Sequence, residues 1–230
     1  MLNIVCLKHG NKYSPVYVNK LYSMTMRHLT VPHRFICFTD NSAGLFPSIE
    51  VKMLPKIPGI SGWWWKIFLF NKDLFPKGDT IFFMDLDTVI VNNIDHLVSP
   101  SDIFVGLRDV SRAFNLPTKL GSAIMKFPAG HFSELWENLL IDPKLMIKYR
   151  GDQDLIWDFR KNDITFFPDE WIRSYKWEIR NQSELYRSST GWHFTNTRSP
   201  IIPPETSIIV FHGTPNLHEV NDPIIVDNWR

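Results

Sequence analysis

The sequence predicts an α/β fold: a mostly parallel, mixed sheet flanked by helices. Three observations carry that prediction. Short apolar runs bounded by turn residues alternate with helix-like stretches through the first two-thirds of the chain, the order expected of strand–helix–strand units. The apolar runs are rich in β-branched and aromatic residues without polar breaks, as strands covered on both faces require. Aspartates directly follow or close two of these runs, Asp40 after one and Asp85 with Asp87 in another. In open α/β sheets the carboxyl ends of strands are where ligands bind.

The elements follow in order. Leu2–Leu7 reads as a first strand, because an apolar run fills it. A helix follows near Pro15–Leu29. Arg34–Thr39 is the second strand, closed by the turn cluster Asp40-Asn41-Ser42. A short strand, Ile49–Met53, meets the Pro- and Gly-containing loop Leu54–Gly62. Trp63–Asn71 reads as a helix, and the apolar run that opens at Ile81 as a buried strand that leads into the two aspartates at its carboxyl end. Strands at Ile103–Leu107 and Ser122–Phe127 and helices near Phe132–Leu140 and Asp152–Arg160 continue the alternation. Beyond Pro168 the periodicity fades. Trp171–Glu205 is aromatic, polar and Pro-rich; a long irregular segment in a compact domain is usually functional or disordered, and its Trp and Tyr content argues against disorder. A last strand, Ser207–Phe211, ends in His212-Gly213.

Composition bounds the function. The 230 residues suit one large domain, and 44% hydrophobic residues fill a core. A net charge of +1 provides no field that would gather nucleic acid or an anionic membrane. No apolar run reaches the roughly 18–20 residues that span a bilayer, and the start of the chain is too short and polar-flanked for a signal peptide. The two cysteines, Cys6 and Cys37, both lie in strand-like runs, so buried reduced thiols and a cytoplasmic setting are expected. The nine tryptophans are many for this length. Most belong to ordinary packing, though indole also suits the apolar faces of sugar rings.

The densest chemistry lies in Ile81-Phe82-Phe83-Met84-Asp85-Leu86-Asp87-Thr88-Val89-Ile90. Residues i and i+2 of a strand point the same way, so Asp85 and Asp87 present two carboxylates to one point. Adjacent carboxylates repel unless a cation joins them. A hard divalent ion, Mn²⁺ or Mg²⁺, fits oxygen ligands of this kind; the plainer alternative is a solvated turn. In Gly62-Trp63-Trp64-Trp65-Lys66, successive helical residues lie about 100° apart. Trp64 therefore faces inward with Ile67 and Phe68, and Trp63 or Trp65 must reach a surface or cleft. Lys66 either neutralises a phosphate or snorkels. The acids of Gly151-Asp152-Gln153-Asp154 suit the first turn of a helix and also the hydroxyls of a sugar. Tyr13, in the loop after the first strand, either stacks on a nucleobase or packs as a staple. His212 is a candidate third metal ligand.

Taken in order, these motifs resemble the nucleotide-sugar glycosyltransferases of the GT-A type, and among them the retaining enzymes of family 8. The resemblance spans roughly Asn3 to Glu219. Asp85-Leu86-Asp87 is similar to the family's Asp-x-Asp metal motif, Gly121-Ser122-Ala123 to its Asn-Ser-Gly segment, Asp152-Gln153-Asp154 to its Asp-Gln-Asp segment, and His212-Gly213 to its C-terminal signature. The resemblance implies a GT-A-like fold and transfer of a sugar from a nucleotide-sugar donor, with UDP the expected nucleotide, to a carbohydrate or glycoconjugate acceptor with retention. It implies that Asp85, Asp87 and His212 bind Mn²⁺ or Mg²⁺. It places Leu7, Lys8, Tyr13 and Asp40 near the nucleoside, and Lys66, Ser122 and Asp154 against the donor. Asp152 and Gln153 stand by the anomeric carbon. The nucleotide half covers about 1–110 and the acceptor half about 111–230. Two positions depart from the pattern: Gly121 replaces the Asn, and Asn216-Leu217 replaces a Lys-Pro pair, with His218 the nearest substitute cation.

Two other functions compete. Met84-Asp85-Leu86-Asp87-Thr88-Val89 also satisfies the first motif of a haloacid dehalogenase-type phosphohydrolase, in which Asp85 would attack phosphorus. That motif belongs on a first core strand, however. The other is a nucleotide-sugar binding protein without catalysis, for which Gly121 and Asn216 argue.

Overall fold

The computed structural model describes residues 1–100, 102–180, 184–189, 191–195 and 200–230. The chain begins with β1 (Leu2–Lys8), α1 (Pro15–His28), β2 (His33–Thr39) and β3 (Glu50–Met53). A 3₁₀ segment, Gly62–Phe70, precedes β4 (Thr80–Met84), β5 (Thr88–Ile90), β6 (Phe104–Arg108) and β7 (Leu120–Pro128). Helices α2 (Ser133–Ile141), α3 (Leu145–Lys148) and α4 (Asp152–Arg160) follow, then β8 (Ile164–Phe166) and β9 (Ile172–Ser174). The chain closes with β10 (Leu185–Ser188), β11 (Gly191–Phe194), β12 (Ile208–Val210) and α5 (Pro223–Val226).

Seven strands form the central sheet in the order β3-β2-β1-β4-β7-β6-β8. Strand β7 runs antiparallel to β4 and β6, and the other neighbours pair in parallel. The sheet is therefore mixed and mostly parallel, as expected. Both faces are covered, which explains the unbroken apolar runs. In β4, Phe82 and Met84 join α1 in one core, while Ile81 and Phe83 join the 3₁₀ segment, α2 and α4 in the other. This is the alternation of a strand buried on both sides. Cys6 and Cys37 face each other across β1 and β2 as free, buried thiols. Burial, reinforced by Cys37, pushes the Cys6 thiol up and keeps it protonated.

Two expectations need correction and one needs extension. The strand that leads into the two aspartates ends at Met84, as expected, but the run does not stop there. It turns at Asp85: β4 stays in the central sheet, and β5 pairs with β12, whose other neighbour is β9. The Asp-x-Asp segment is thus the corner between two sheets. Its backbone is pinned on both sides, Asp85 N–H to Ala123 O at 2.8 Å and Phe211 N–H to Asp87 O at 2.9 Å. Second, the Trp-rich segment is 3₁₀ rather than α-helical. Residues three apart then stack in rows. Trp64, Ile67 and Phe70 form one buried row, and Trp65 and Phe68 another. Trp63 and Lys66 share the row that meets the cavity described below. Third, the stretch after Pro168 holds β9, a π-helical turn at Tyr175–Ile179 and the β10–β11 hairpin. The π-turn is clamped by Arg112, which donates to both oxygens of Glu178 and to the carbonyl of Ile172. No helix among the described residues is long and apolar enough to cross a membrane.

Candidate active site

A cavity of about 610 Å³ opens where β1 and β4 end and β7 begins. The topology explains why these residues meet. Strands β1 and β4 are parallel neighbours, so the loop carrying Tyr13 and the corner carrying Asp85 and Asp87 emerge at the same edge. Strand β7 is antiparallel to β4, so its first residues, Gly121-Ser122-Ala123, lie beside that corner. Helix α4 packs against β7 and brings Asp152, Gln153 and Asp154 to the wall.

Lys66 sits at the centre of the charges. It is 8% exposed, and its Nζ donates to Asp85 Oδ2 at 2.7 Å and to Ser122 Oγ at 3.2 Å. It also lies 3.9 Å from Asp152 Oδ2. Burial alone depresses the ammonium, but Asp152 and then Asp85 outweigh it, and its pKa is raised. Lys66 is therefore a buried cation held among carboxylates, not a snorkelling surface lysine. Burial pushes the Asp85 carboxyl up to about 7, Lys66 opposing the shift and Asp87 adding to it. Three carboxylates face this one ammonium, and such a surplus favours a further cation.

The residues fit a divalent ion. Asp87 accepts the Tyr13 hydroxyl at Oδ2 at 2.7 Å, just as Asp85 accepts Lys66 at Oδ2. Among the described residues, neither Oδ1 has a hydrogen-bond partner, so each carboxylate keeps one hard oxygen for a ligand. His212 lines the same cavity, but its Nε2 is bonded to Ser174 Oγ at 2.8 Å, and its ring meets Trp177 edge-on at 4.1 Å. Burial, then Lys176, lowers its pKa to about 4, which leaves a neutral imidazole. Among the described residues no three acidic, His or Cys side chains converge as a metal-binding group. Of the three expected ligands, Asp85 and Asp87 stand at the corner, and His212 lines the same cavity with its Nε2 bonded to Ser174 Oγ.

Of the other expected residues, Leu7, Tyr13, Lys66, Ser122, Asp152, Gln153 and Asp154 all line the cavity. Asp152 is 4% exposed, and its Oδ2 is buried without a hydrogen-bond partner among the described residues. Gln153 Nε2 lies 3.4 Å from Asp109 Oδ2. Asp154 is paired with Arg150 at 2.8 Å, the i,i+4 pair of a first helical turn. Lys8 and Asp40 do not reach the cavity. Lys8 folds back, its Nζ donating to Gly10 O at 3.4 Å. Asp40 accepts the Gly10 N–H at 3.0 Å and lines a smaller adjoining cavity of about 180 Å³ with His9 and Trp65. The cause is Gly10 itself, whose φ of +66° turns the loop back toward both side chains. His218 does not line the cavity; its Nδ1 and the Tyr17 hydroxyl share a hydrogen bond of 2.6 Å. Asn216 is held with Glu219 in a capping box.

Sequence reasoning missed Asp109, which stands directly after β6; the strand-end rule could have found it. It left open which of Trp63 and Trp65 is exposed. Trp63 is, at 55%, and it lines the cavity. A Cβ at Gly151 would come within 3.3 Å of its Nε1, so the indole lies directly against the start of α4. Trp177 also lines the cavity, whereas the side chain of Trp192 lies outside the described residues.

No protein-family model matches the chain, and no curated protein matches it in sequence. Solved structures do match. The galactosyltransferase LgtC, crystallised in complex with donor and acceptor sugar analogues, superposes with a TM-score of 0.61 at 10% identity, over 98% of this chain and 94% of LgtC. The bifunctional glycosyltransferase WbbM gives 0.63 at 12% identity, over 99% of this chain but 49% of WbbM. The glycosyltransferase GlyE of Streptococcus pneumoniae TIGR4 gives 0.57 at 11%, over 75% of this chain and 47% of GlyE. The chain thus spans nearly all of one neighbour and about half of the other two. At such identities the likeness is one of fold, and the fold is the GT-A type that these glycosyltransferases share.

Proposed function

We propose that this chain is a metal-dependent glycosyltransferase that moves a sugar from a nucleotide-sugar donor, with UDP as nucleotide, to a carbohydrate or glycoconjugate acceptor with retention, as in family 8. One observation carries the reading: Asp85 and Asp87, each with an unpartnered oxygen, share a cavity wall with Asp152 and Gln153 in a fold held in common with glycosyltransferases. The phosphohydrolase alternative needs its aspartates on the first core strand, whereas here they follow β4.

The division of labour follows from the residues. Asp85 and Asp87 would hold Mn²⁺ or Mg²⁺, and His212 would join them after exchanging its Ser174 bond. The bound ion supplies Lewis-acid stabilisation of a departing diphosphate, worth several kcal/mol. Lys66 sets an ammonium against Asp85 and 3.9 Å from Asp152. Asp152 offers a buried carboxylate oxygen for the positive charge that develops at an anomeric carbon, either as nucleophile or as electrostatic partner. Residues of the first half, Leu7, Tyr13 and Lys66, suit the nucleotide side. Trp177 and the segment after Pro168 suit the acceptor side, since specificity in a shared scaffold resides on loops. The two buried free thiols support a reducing, cytoplasmic setting.

A screen of nucleotide sugars for Mn²⁺-dependent thermal stabilisation, followed by turnover of labelled donor, tests the reading. A ligand at a hundredfold excess over Kd stabilises the folded state by about 2.7 kcal/mol. Binding without turnover would identify a sugar-nucleotide binding protein instead. His212→Ala should weaken Mn²⁺ affinity about 10-fold or more, as loss of a ligand-orienting or ligating group does. Unchanged affinity, measured by titration, would confine His212 to packing with Ser174 and Trp177. Trp177→Ala should raise acceptor KM several-fold more than donor KM; equal effects would mark a folding role.

A further inference from the structure

The Tyr13 hydroxyl donates to Asp87 Oδ2 at 2.7 Å. A phenol–carboxylate bond of this length is charge-assisted and strong for its class. It joins the loop after β1 to the corner after β4, positions 74 residues apart in the chain. The Tyr13 ring is itself backed: Tyr17 packs on it at 4.8 Å, and Tyr17 is anchored through its hydroxyl to His218. Lys66 treats Asp85 in the same way, through Oδ2 at 2.7 Å. Each carboxylate of the pair is thus held by one oxygen from opposite walls of the cavity, one by a cation and one by a neutral hydroxyl.

We infer that Tyr13 is a positioning residue for the divalent ion: its hydroxyl fixes the Asp87 carboxylate so that Oδ1 is presented beside Asp85 Oδ1. The inference rests on the metal-dependent reading above and adds a role to a residue for which the sequence left open a nucleobase stack or a packing contact. A carboxylate hydrogen-bonded from behind loses rotamer freedom before the ion arrives, and outer partners of this kind typically change metal affinity about 10–100-fold when removed. Because the same side chain also lines the cavity, on what the proposed function makes the nucleotide side, metal affinity and nucleotide affinity become coupled through it. Such coupling is reciprocal by linkage.

The test is a titration of Mn²⁺ into the full chain, wild type and Tyr13→Phe, with free Mn²⁺ read by electron paramagnetic resonance, each with and without UDP. The variant keeps the ring and loses only the hydroxyl. The expected result is a Kd for Mn²⁺ raised about 10–100-fold, with the melting temperature of the metal-free protein close to wild type. If wild type binds Mn²⁺ and Tyr13→Phe binds it equally well, the role assigned to Tyr13 is overturned while the glycosyltransferase reading stands. If wild type binds no Mn²⁺ even with UDP, the metal-dependent reading fails and this inference fails with it. Should Tyr13→Phe not fold, 4-aminophenylalanine in place of Tyr13 keeps the ring, the reach and a neutral N–H donor. Wild-type affinity is then the supporting result, and a loss beyond about tenfold the overturning one.

Discussion

Replacing Asp85 or Asp87 by Ala should abolish Mn²⁺-dependent binding of UDP, with Kd moving out of the measurable range. The argument is one of ligand count. At the corner Asp85 and Asp87 each keep an unpartnered carboxylate oxygen among the described residues, while Asp152 Oδ2 faces Lys66 and His212 would have to give up Ser174 to join. Removing either leaves a single corner carboxylate, too few even with His212 to hold a hard divalent ion against water. The two substitutions should differ in stability. Asp85→Ala strips Lys66 of its 2.7 Å partner while that ammonium stays buried beside Asp152, and breaking a buried pair is costly. Asp87→Ala frees only a tyrosine hydroxyl at a half-buried site. Asp85→Ala should therefore melt at the lower temperature, and calorimetry on both variants checks the order. Equal UDP affinity in wild type and Asp87→Ala, each with Mn²⁺, would remove the pair from donor binding.

Asp152→Asn should lower kcat by about 10²-fold or more, the range for loss of a preorganised electrostatic group, while donor KM stays within a few-fold of wild type. Asp152 is buried, its Oδ2 has no hydrogen-bond partner among the described residues, and it stands 3.9 Å from Lys66. Such an oxygen gains most from charge that develops during reaction. On the proposed reading, ground-state binding of the diphosphate rests on the other two aspartates. A group used mainly in the transition state shows in kcat and kcat/KM together. A variant with normal kcat, or one whose only change is a raised donor KM, would assign Asp152 to binding or to the support of Lys66.

Much of the fold was legible because its signals are local. Strand β1, helix α1 and helix α4 stand where apolar period and first-turn acids place them. The corner at Asp85 was not legible. Thr88-Val89-Ile90 is as good a strand sequence as the residues before it, and the turn is fixed by a bond from Phe211, far along the chain. The Trp-rich segment misled for a related reason: α and 3₁₀ helices share the i,i+3 neighbour, and only packing against the sheet and α2 decides between them. Past Pro168 the strands pair with partners distant in sequence, β8 with β6 and β9 with β12, which no local pattern reveals. In the site, residues at strand ends and at the start of α4 reached the cavity as expected. Lys8 and Asp40 did not, because the turn at Gly10 redirects them. Tyr13 reached it, and its hydroxyl reached Asp87, a contact that only the parallel pairing of β1 with β4 makes possible.

The central claim is sugar transfer from a nucleotide donor held by Asp85 and Asp87. Its most direct test is release of UDP from a panel of UDP-sugars by purified wild-type chain, with Mn²⁺ and with chelator, beside an aryl phosphate and Mg²⁺ as control. The account predicts UDP release with at least one donor, dependent on Mn²⁺ and lost in Asp85→Ala, with the aryl phosphate untouched. Phosphate release from the aryl phosphate that disappears in Asp85→Asn, with every UDP-sugar left intact, would contradict it.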